Sequence, residues 1–229
     1  MGLEYIKYLN KRFNFDLKNS TINDFFVWAT LGVILGGRFG YVLLYNPIYY
    51  INEPLEILKI WKGGMSFHGG LAGVIISLLI FCNQNKVKLF TLSDLVACAA
   101  PIGIFFGRIA NFINGELVGR PTESVFGIIF PHVDNVSRHP SQIYEALLEG
   151  ILLFIILLIF INNQKIRSNK GFLSASFLTS YSIFRFFCEY FREPDTHLGL
   201  ILNLSFGQLY SVATLLIGFM IFTKKLEKK

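Results

Sequence analysis

Apolar residues run through this chain in long blocks, separated by short polar or basic connections. Blocks at 24–46, 66–82, 91–112, 141–161, 171–190 and 206–223 each approach the about 20 mostly apolar residues that a helix needs to cross a bilayer. Together they occupy more than half of the 229 residues and leave no room for a separate soluble domain. The pattern predicts an all-α fold: a polytopic transmembrane helical bundle of six spans, with residues 1–229 forming a single integral membrane domain.

Inside the spans, small residues recur at helical spacing. Gly32, Gly36 and Gly40 fall every fourth residue in the first span, Gly69 and Gly73 in the second, Gly103 and Gly107 in the third. Lipid offers helices no hydrophobic reason to associate, so close approach at small residues has to supply it, and these glycines are expected at helix–helix contacts. The run GGRFGY is not a dinucleotide-binding fingerprint, because no strand precedes it. Asp24 and Asp94 stand at the inner ends of spans one and three, where a first-turn carboxylate complements the helix dipole and caps amides. Cys82, Cys98 and Cys188 all lie within spans, show no paired spacing and are expected to pack as small hydrophobes.

Composition strengthens the membrane reading. Only 16% of residues are charged, against about 25% in a typical soluble domain, while 53% are hydrophobic. A net charge of +6 is compatible with a nucleic-acid partner, but its placement argues for topology instead. Thirteen of the 21 Lys and Arg lie in residues 1–23, 83–90, 162–170 and 224–229, and only five in the connections 47–65, 113–140 and 191–205. Short basic segments stay cytoplasmic. Both termini of this chain are therefore expected inside, beside anionic lipid head groups, with no nucleic acid as partner. No cleavable signal peptide, internal repeat or low-complexity segment is visible.

Ionisable side chains within a span cost several kcal/mol on most scales, so each calls for a reason. Besides the two aspartates, the spans hold Arg38, His68, Arg108, Glu145, Glu149, Arg185 and Glu189, every one in the outer half of its helix. At 1.5 Å per residue, Arg108 and Arg185 lie roughly 6 and 8 Å below the outer ends of their spans, and Arg38 roughly 12 Å. His132, His139 and His197 also fall on this side. A transporter of small anions, the first rival, would need polar lining through the whole thickness or a midplane site. Polar chemistry in one leaflet favours a cavity open to the outer leaflet; buried Arg–Glu pairs holding helices together are the plainer alternative.

Two stretches define that chemistry. In YSIFRFFCEYFREPD, the positions of Tyr181, Arg185, Glu189 and Arg192 (i, i+4, i+8, i+11) place all four on one helical face. Two arginines flanking a glutamate can pair with it and keep donors for phosphate oxygens, which suggests a phospholipid head group. In GRIANFINGELVGRPT, Arg108, Asn111, Asn114 and Glu116 stand where span three emerges, and the amides suit a glycerol head group. His68, in KGGMSFHGGLAG, has glycines on both sides that leave its ring approachable; a structural and a catalytic histidine are equally compatible with that setting. The sequence offers no convincing set of metal ligands.

Taken together, GGRFGYVLLYN (36–46), WKGGMSFHGGLAG (61–73), GRIANFINGELVGRPT (107–122), RHPSQIYEALLEG (138–150) and FRFFCEYFREPD (184–195) resemble, in order and spacing, the prolipoprotein diacylglyceryl transferase family of bacteria. The resemblance implies a plasma (inner) membrane enzyme that moves the diacylglyceryl group of phosphatidylglycerol to the lipobox cysteine of a preprolipoprotein, forming a thioether and releasing glycerol 1-phosphate. It implies catalytic roles for His68, Arg108 and Arg185: Arg108 on the lipid phosphate, Arg185 as a second cation, His68 as the essential histidine. Asn111, Glu116, Gly119, Tyr181 and Glu189 would shape or support the substrate site, which would face the periplasm and outer leaflet. No cofactor and no metal is implied. The nucleophile arrives with the substrate, and its thiol proton would go to His68, with Glu189 or Glu116 as alternatives. Family members usually begin with a further helix carrying a functional tyrosine, and this chain is expected to start after it, through a misassigned start or a truncation. Ala110 and Val118 stand where the family often has Gly and Trp. A non-catalytic lipid-binding scaffold is the second rival.

Overall fold

Each of the six apolar blocks is the body of a helix in the computed structural model, which describes residues 1–44, 47–193 and 204–226, without the side chains at 44, 67, 68 and 224–226. The helices are α1 (Gly2–Phe13), α2 (Asn19–Leu44), α3 (Pro47–Asn52), α4 (Phe67–Gln84), α5 (Leu89–Asn114), α6 (Ser141–Glu145), α7 (Leu153–Asn162), α8 (Gln164–Ser168), α9 (Phe172–Cys188) and α10 (Phe206–Leu226). A π-helical segment, Ala146–Leu152, joins α6 to α7 into one continuous rod. The only strands among the described residues are β1 (Ile128–Ile129) and β2 (Ser137–Arg138), an antiparallel pair. Among the described residues, four helices are long and apolar enough to cross a membrane: Asn19–Leu43, Leu89–Asn114, Ser141–Asn162 and Phe206–Thr223. The apolar segments Gly69–Gln84 and Phe172–Cys188 are shorter. The result is an all-helical membrane protein with four candidate spans.

The chain divides into two compact units, residues 7–92 and residues 1–6 with 93–229. In the first unit, α2 and α4 cross backbone to backbone. A Cβ at Gly36 would strike the Gly69 carbonyl oxygen and lie 2.8 Å from Gly73 Cα; one at Gly40 would lie 2.7 Å from Gly69 Cα. Only hydrogen fits there, as small-residue packing requires. Outward from this seam, Phe26, Val27, Leu31, Leu35, Phe39 and Leu43 are each more than half exposed, a surface suited to acyl chains rather than water. Span three shows no equivalent seam among the described residues: nothing there lies within 4 Å of a Cβ built on Gly103 or Gly107.

Arg38 has a reason to be buried that the sequence did not show. Only 4% exposed, it donates through Nε to Ile57 O (2.8 Å), through Nη1 to Gly63 O (2.6 Å) and through Nη2 to Glu56 O (2.6 Å), with the Tyr50 ring 5.2 Å away. One guanidinium thus gathers the carbonyls of the 54–64 connection.

In the second unit, α9 packs on α10 through Ser182 Oγ and Thr214 Oγ1 (2.6 Å) and through Gly218, whose Cβ position lies 2.7 Å from Thr179 Oγ1. Gly150, in the π segment, lets that rod approach Phe105 of α5. The aspartates do not cap their own helices. Because α2 begins at Asn19 and α5 at Leu89, Asp24 and Asp94 fall beyond the first turn. Asp24 is exposed, whereas Asp94 is wholly buried and caps α9: its carboxylate accepts from Gly171 N (2.7 Å), Ser174 N (2.8 Å) and Ser174 Oγ (2.7 Å). Cys82, Cys98 and Cys188 are unpaired and buried.

Candidate functional site

The ends of α5, α6 and α9 that meet the 115–140 and 189–193 connections hold a closed network of charges. Glu145, at the last position of α6 and wholly buried, is gripped by Arg185 Nη1 at 2.5 Å, Arg108 Nε at 3.0 Å and Arg192 Nη1 at 3.5 Å. Glu149, one turn further and also buried, accepts from Arg108 Nη2 at 3.1 Å, and its other oxygen lies 3.9 Å from Arg185 Nη1. Arg185 Nη2 reaches Glu189 at 2.7 Å, and the remaining Glu189 oxygen accepts from Ser205 Oγ at 2.9 Å. The Glu189 carboxylate rests on Gly207, where a Cβ would come within 2.6–2.7 Å of it. The π segment begins directly after Glu145 and carries Glu149; such a widened turn re-aims side chains that a regular α-helix would hold in fixed rows.

Arg108 and Arg185 are thus brought together, each only 14–15% exposed at the side chain and sharing one carboxylate. One detail of the expected arrangement needs correction. The helical face does not run through Arg192, because α9 ends at Cys188: Phe191 N and Arg192 N both fold back onto Cys188 O, and Pro194 follows closely in the sequence. Arg192 enters instead from a short extended segment bridged to Gly119. Arg185 turns Nη1 and Nη2 to carboxylates while its Nε takes no part in these pairs, and Nη1 of Arg108 is the nitrogen that its Glu145 and Glu149 pairs do not use.

The loop residues form a scaffold around this network. Asn111 Nδ2 donates to Glu116 Oε2 (3.1 Å), Glu116 N to Asn111 O (2.8 Å) and Gln142 Nε2 to Glu116 O (2.6 Å), so Glu116 is an exposed carboxylate on a fixed backbone. Gly119 is buried where strands meet: a Cβ would lie 2.6 Å from Phe191 O and 2.7 Å from His139 Cβ. Arg120 Nε donates to Arg192 O (3.0 Å), and Arg138 holds Gly119 O (3.0 Å), Asp134 (2.6 Å) and Glu193 (3.2 Å). The Arg138 guanidinium keeps the Asp134 carboxyl below its ordinary pKa. Tyr181 is half-buried, its ring stacked on Phe177 at 5.8 Å. His132 sits against Gly115 O and His139 against the Tyr144 hydroxyl. The side chain of His68 and all of His197 lie outside the described residues. Among the described residues no group of three or more His, Cys, Asp or Glu is arranged to hold a metal ion.

Sequence reasoning noted Glu145 and Glu149 as costly residues yet did not place them in the site. Their signal was the i, i+4 spacing on one apolar span, which marks a shared face but not the arginines opposite. Comparison with known proteins bears on the chain as a whole. A family model described as "Prolipoprotein diacylglyceryl transferase" matches residues 1–224. A Rickettsia akari protein named phosphatidylglycerol–prolipoprotein diacylglyceryl transferase is 50% identical over 215 residues, 93% of this chain and 83% of that protein. Proteins of the same name from Rickettsia felis and Paramagnetospirillum magneticum are 48% and 47% identical, each over 95% of this chain and 85% and 82% of their own lengths.

Proposed function

The chain belongs to the prolipoprotein diacylglyceryl transferase family, and from that premise we propose that it transfers the diacylglyceryl group of phosphatidylglycerol to the lipobox cysteine thiol of a preprolipoprotein, the first step of lipoprotein maturation. The observation that carries this reading is the shared grip of Arg108 and Arg185 on Glu145, which sets two guanidiniums side by side at one end of the spans.

Attack of the substrate sulfur on the glyceryl carbon forms the C–S bond and breaks the C–O bond to phosphate, so negative charge grows on the departing phosphate. Guanidiniums fixed beforehand at that point stabilise it without reorganising, and the partly dehydrated setting strengthens them. Arg108, with its uncommitted Nη1, takes the phosphate, and Arg185 is the second cation. His68 takes the thiol proton. Glu189 is a poorer base than its sequence suggests, since Arg185 and Ser205 already occupy its oxygens. Glu116 is the remaining alternative, being exposed beside Asn111, while Gly119 and Tyr181 complete the support of the substrate site.

The same reading takes all six apolar helices as spans of one integral domain in the bacterial inner membrane. Helices of 17 or 18 residues such as α9 and α4 stand at the short end of what a bilayer accepts. The basic segments then place both termini in the cytoplasm and the arginine network near the outer leaflet. The test is transfer of labelled phosphatidylglycerol to a lipobox peptide by the purified protein in liposomes. Arg108→Ala is expected to abolish transfer while still inserting, and undiminished turnover removes Arg108 from its role. His68→Gln is expected to be far slower in the same assay; a normal rate takes the histidine out of the proton transfer.

A further inference from the structure

Counted over the described residues, the network is electrically balanced. Arg108, Arg185 and Arg192 contribute three positive charges, and Glu145, Glu149 and Glu189 three negative ones, every member linked to another within 4 Å. All three carboxylates are 5% exposed or less. The arginines therefore carry no surplus charge with which to meet an anion, and adding one to a buried neutral cluster is strongly unfavourable unless a positive charge comes with it. A phosphodiester brings one negative charge. Within the network, the compensating charge that is simplest to supply is a proton on one carboxylate.

The geometry singles out which one. Glu145 is held by three arginines, and Glu189 by Arg185 and the Ser205 hydroxyl. Glu149 has one close cation, Arg108 Nη2 at 3.1 Å, and the cation nearest its Oε1, Arg185 Nη1, stands 3.9 Å off, whereas both oxygens of Glu145 and the Oε2 of Glu189 have an arginine nitrogen within 3.0 Å. The groups that face it are Arg108 from α5, Arg185, Tyr181 and Cys188 from α9, and Glu145 from its own rod. Protonating Glu149 thus breaks the fewest contacts. It also releases Nη2 of Arg108, which lies beside the uncommitted Nη1, and the two nitrogens together form the fork that phosphate accepts in bidentate fashion.

We infer that Glu149 is the proton-carrying residue of lipid binding: as the phosphodiester enters, Glu149 takes one proton from solvent and Arg108 exchanges this carboxylate for the phosphate. No bond of the lipid changes in this step; an O–H bond forms on Glu149 and the Arg108–Glu149 ion pair opens. When the C–O bond later breaks, the glycerol phosphate gains a second negative charge. The O–H bond of Glu149 then breaks in favour of the phosphate oxygen, and the restored carboxylate reclaims Arg108 and favours release of the product. The inference rests on the diacylglyceryl-transfer reading only for the identity of the anion.

The test is titration calorimetry of the whole purified protein in neutral detergent with short-chain phosphatidylglycerol, run in buffers of different ionisation enthalpy. The wild type is expected to take up about one proton per lipid, with affinity falling about tenfold per pH unit on the alkaline side. Glu149→Gln, neutral at every pH, is expected to bind at least as tightly, with no proton uptake and a flat pH profile; Glu149→Asp is expected to keep the uptake. Proton-free binding by the wild type, or unchanged uptake in Glu149→Gln, overturns the inference. The wild-type measurement decides the matter by itself if the glutamine variant does not fold. Transfer activity accompanied by proton-free binding defeats this inference alone, whereas absence of both lipid binding and transfer defeats the functional reading beneath it.

Discussion

Replacing Glu145 by Gln tests the network at its centre. The amide keeps the size of the side chain and one carbonyl acceptor, so a steric explanation is removed and the change is one charge. The carboxylate touches three guanidiniums at 2.5, 3.0 and 3.5 Å and is wholly buried. Removing one partner of a buried ion pair costs about 3–5 kcal/mol, because the other charge stays behind uncompensated. Arg108 and Arg185 keep 14–15% of their side-chain surface exposed, and that hydration argues for the lower end, about 3 kcal/mol. For a chain of this size such a loss lowers a thermal midpoint by roughly 6–12 °C. The assay is thermal unfolding of the detergent-solubilised protein, with Arg192→Gln as second substitution. Glu145→Gln leaves three cations against two anions, and the double variant restores two against two. The double variant should therefore recover part of the loss, a coupling that only interacting charges produce. If Glu145→Gln melts with the wild type, or the double variant loses the sum of the two single losses, the balanced-network account is wrong.

The remaining expectations concern the periphery. Gly36→Ala drives a methyl into the Gly69 carbonyl and Gly73 backbone and should destabilise by about 1–3 kcal/mol, while Gly103→Ala meets nothing within 4 Å and should be neutral or gain up to about 1 kcal/mol. Thermal midpoints in the opposite order would overturn the packing assigned to α2 and α4. Asp134 is held below its ordinary pKa first by its hydrogen bond to Arg138, so the folded loop binds fewer protons than the unfolded one and loses stability as pH falls through the depressed value. Proteolysis within residues 115–140 should therefore stay constant from neutral pH down to about pH 4, where an unperturbed carboxylate titrates, and rise only below it. A rise beginning near pH 6 would remove Asp134 from this role.

The helices were legible because apolar length is a one-dimensional property, and each of the six blocks is the body of a helix. What lies opposite a face is not one-dimensional. Gly32, Gly36 and Gly40 share their period with Gly103 and Gly107, yet the former meet the backbone of α4 and the latter meet nothing among the described residues, and no feature of the spacing distinguishes them. Helix boundaries mattered for the same reason: a start at Asn19 or Leu89 moves Asp24 and Asp94 out of the first turn, and only the tertiary fold shows that Asp94 serves α9. Arg38 looked like Arg108 in the sequence, since both are arginines sunk in apolar helices. One gathers backbone carbonyls of a connection and the other two carboxylates, a difference set by residues 18 to 41 positions away.

Five of the costly residues, Arg108, Glu145, Glu149, Arg185 and Glu189, nevertheless gather in one network, and charge balance explains why cost marked them. A guanidinium kept in a partly dehydrated site must be balanced at all times, including while no phosphate is bound. On the proposed reading, the carboxylates that stabilise Arg108 and Arg185 are for that reason also competitors of the phosphate, and a site built only for tight pairing would refuse a lipid. Glu145, with three cations, secures the fold. Glu149, with one close cation and its other oxygen 3.9 Å from the nearest arginine nitrogen, is by the inference above the member that can yield. The two glutamates share a face of one rod, yet the arginines of neighbouring helices divide them into an anchor and a release, a division that depends on where α5 and α9 end and not on the spacing of Glu145 and Glu149 themselves.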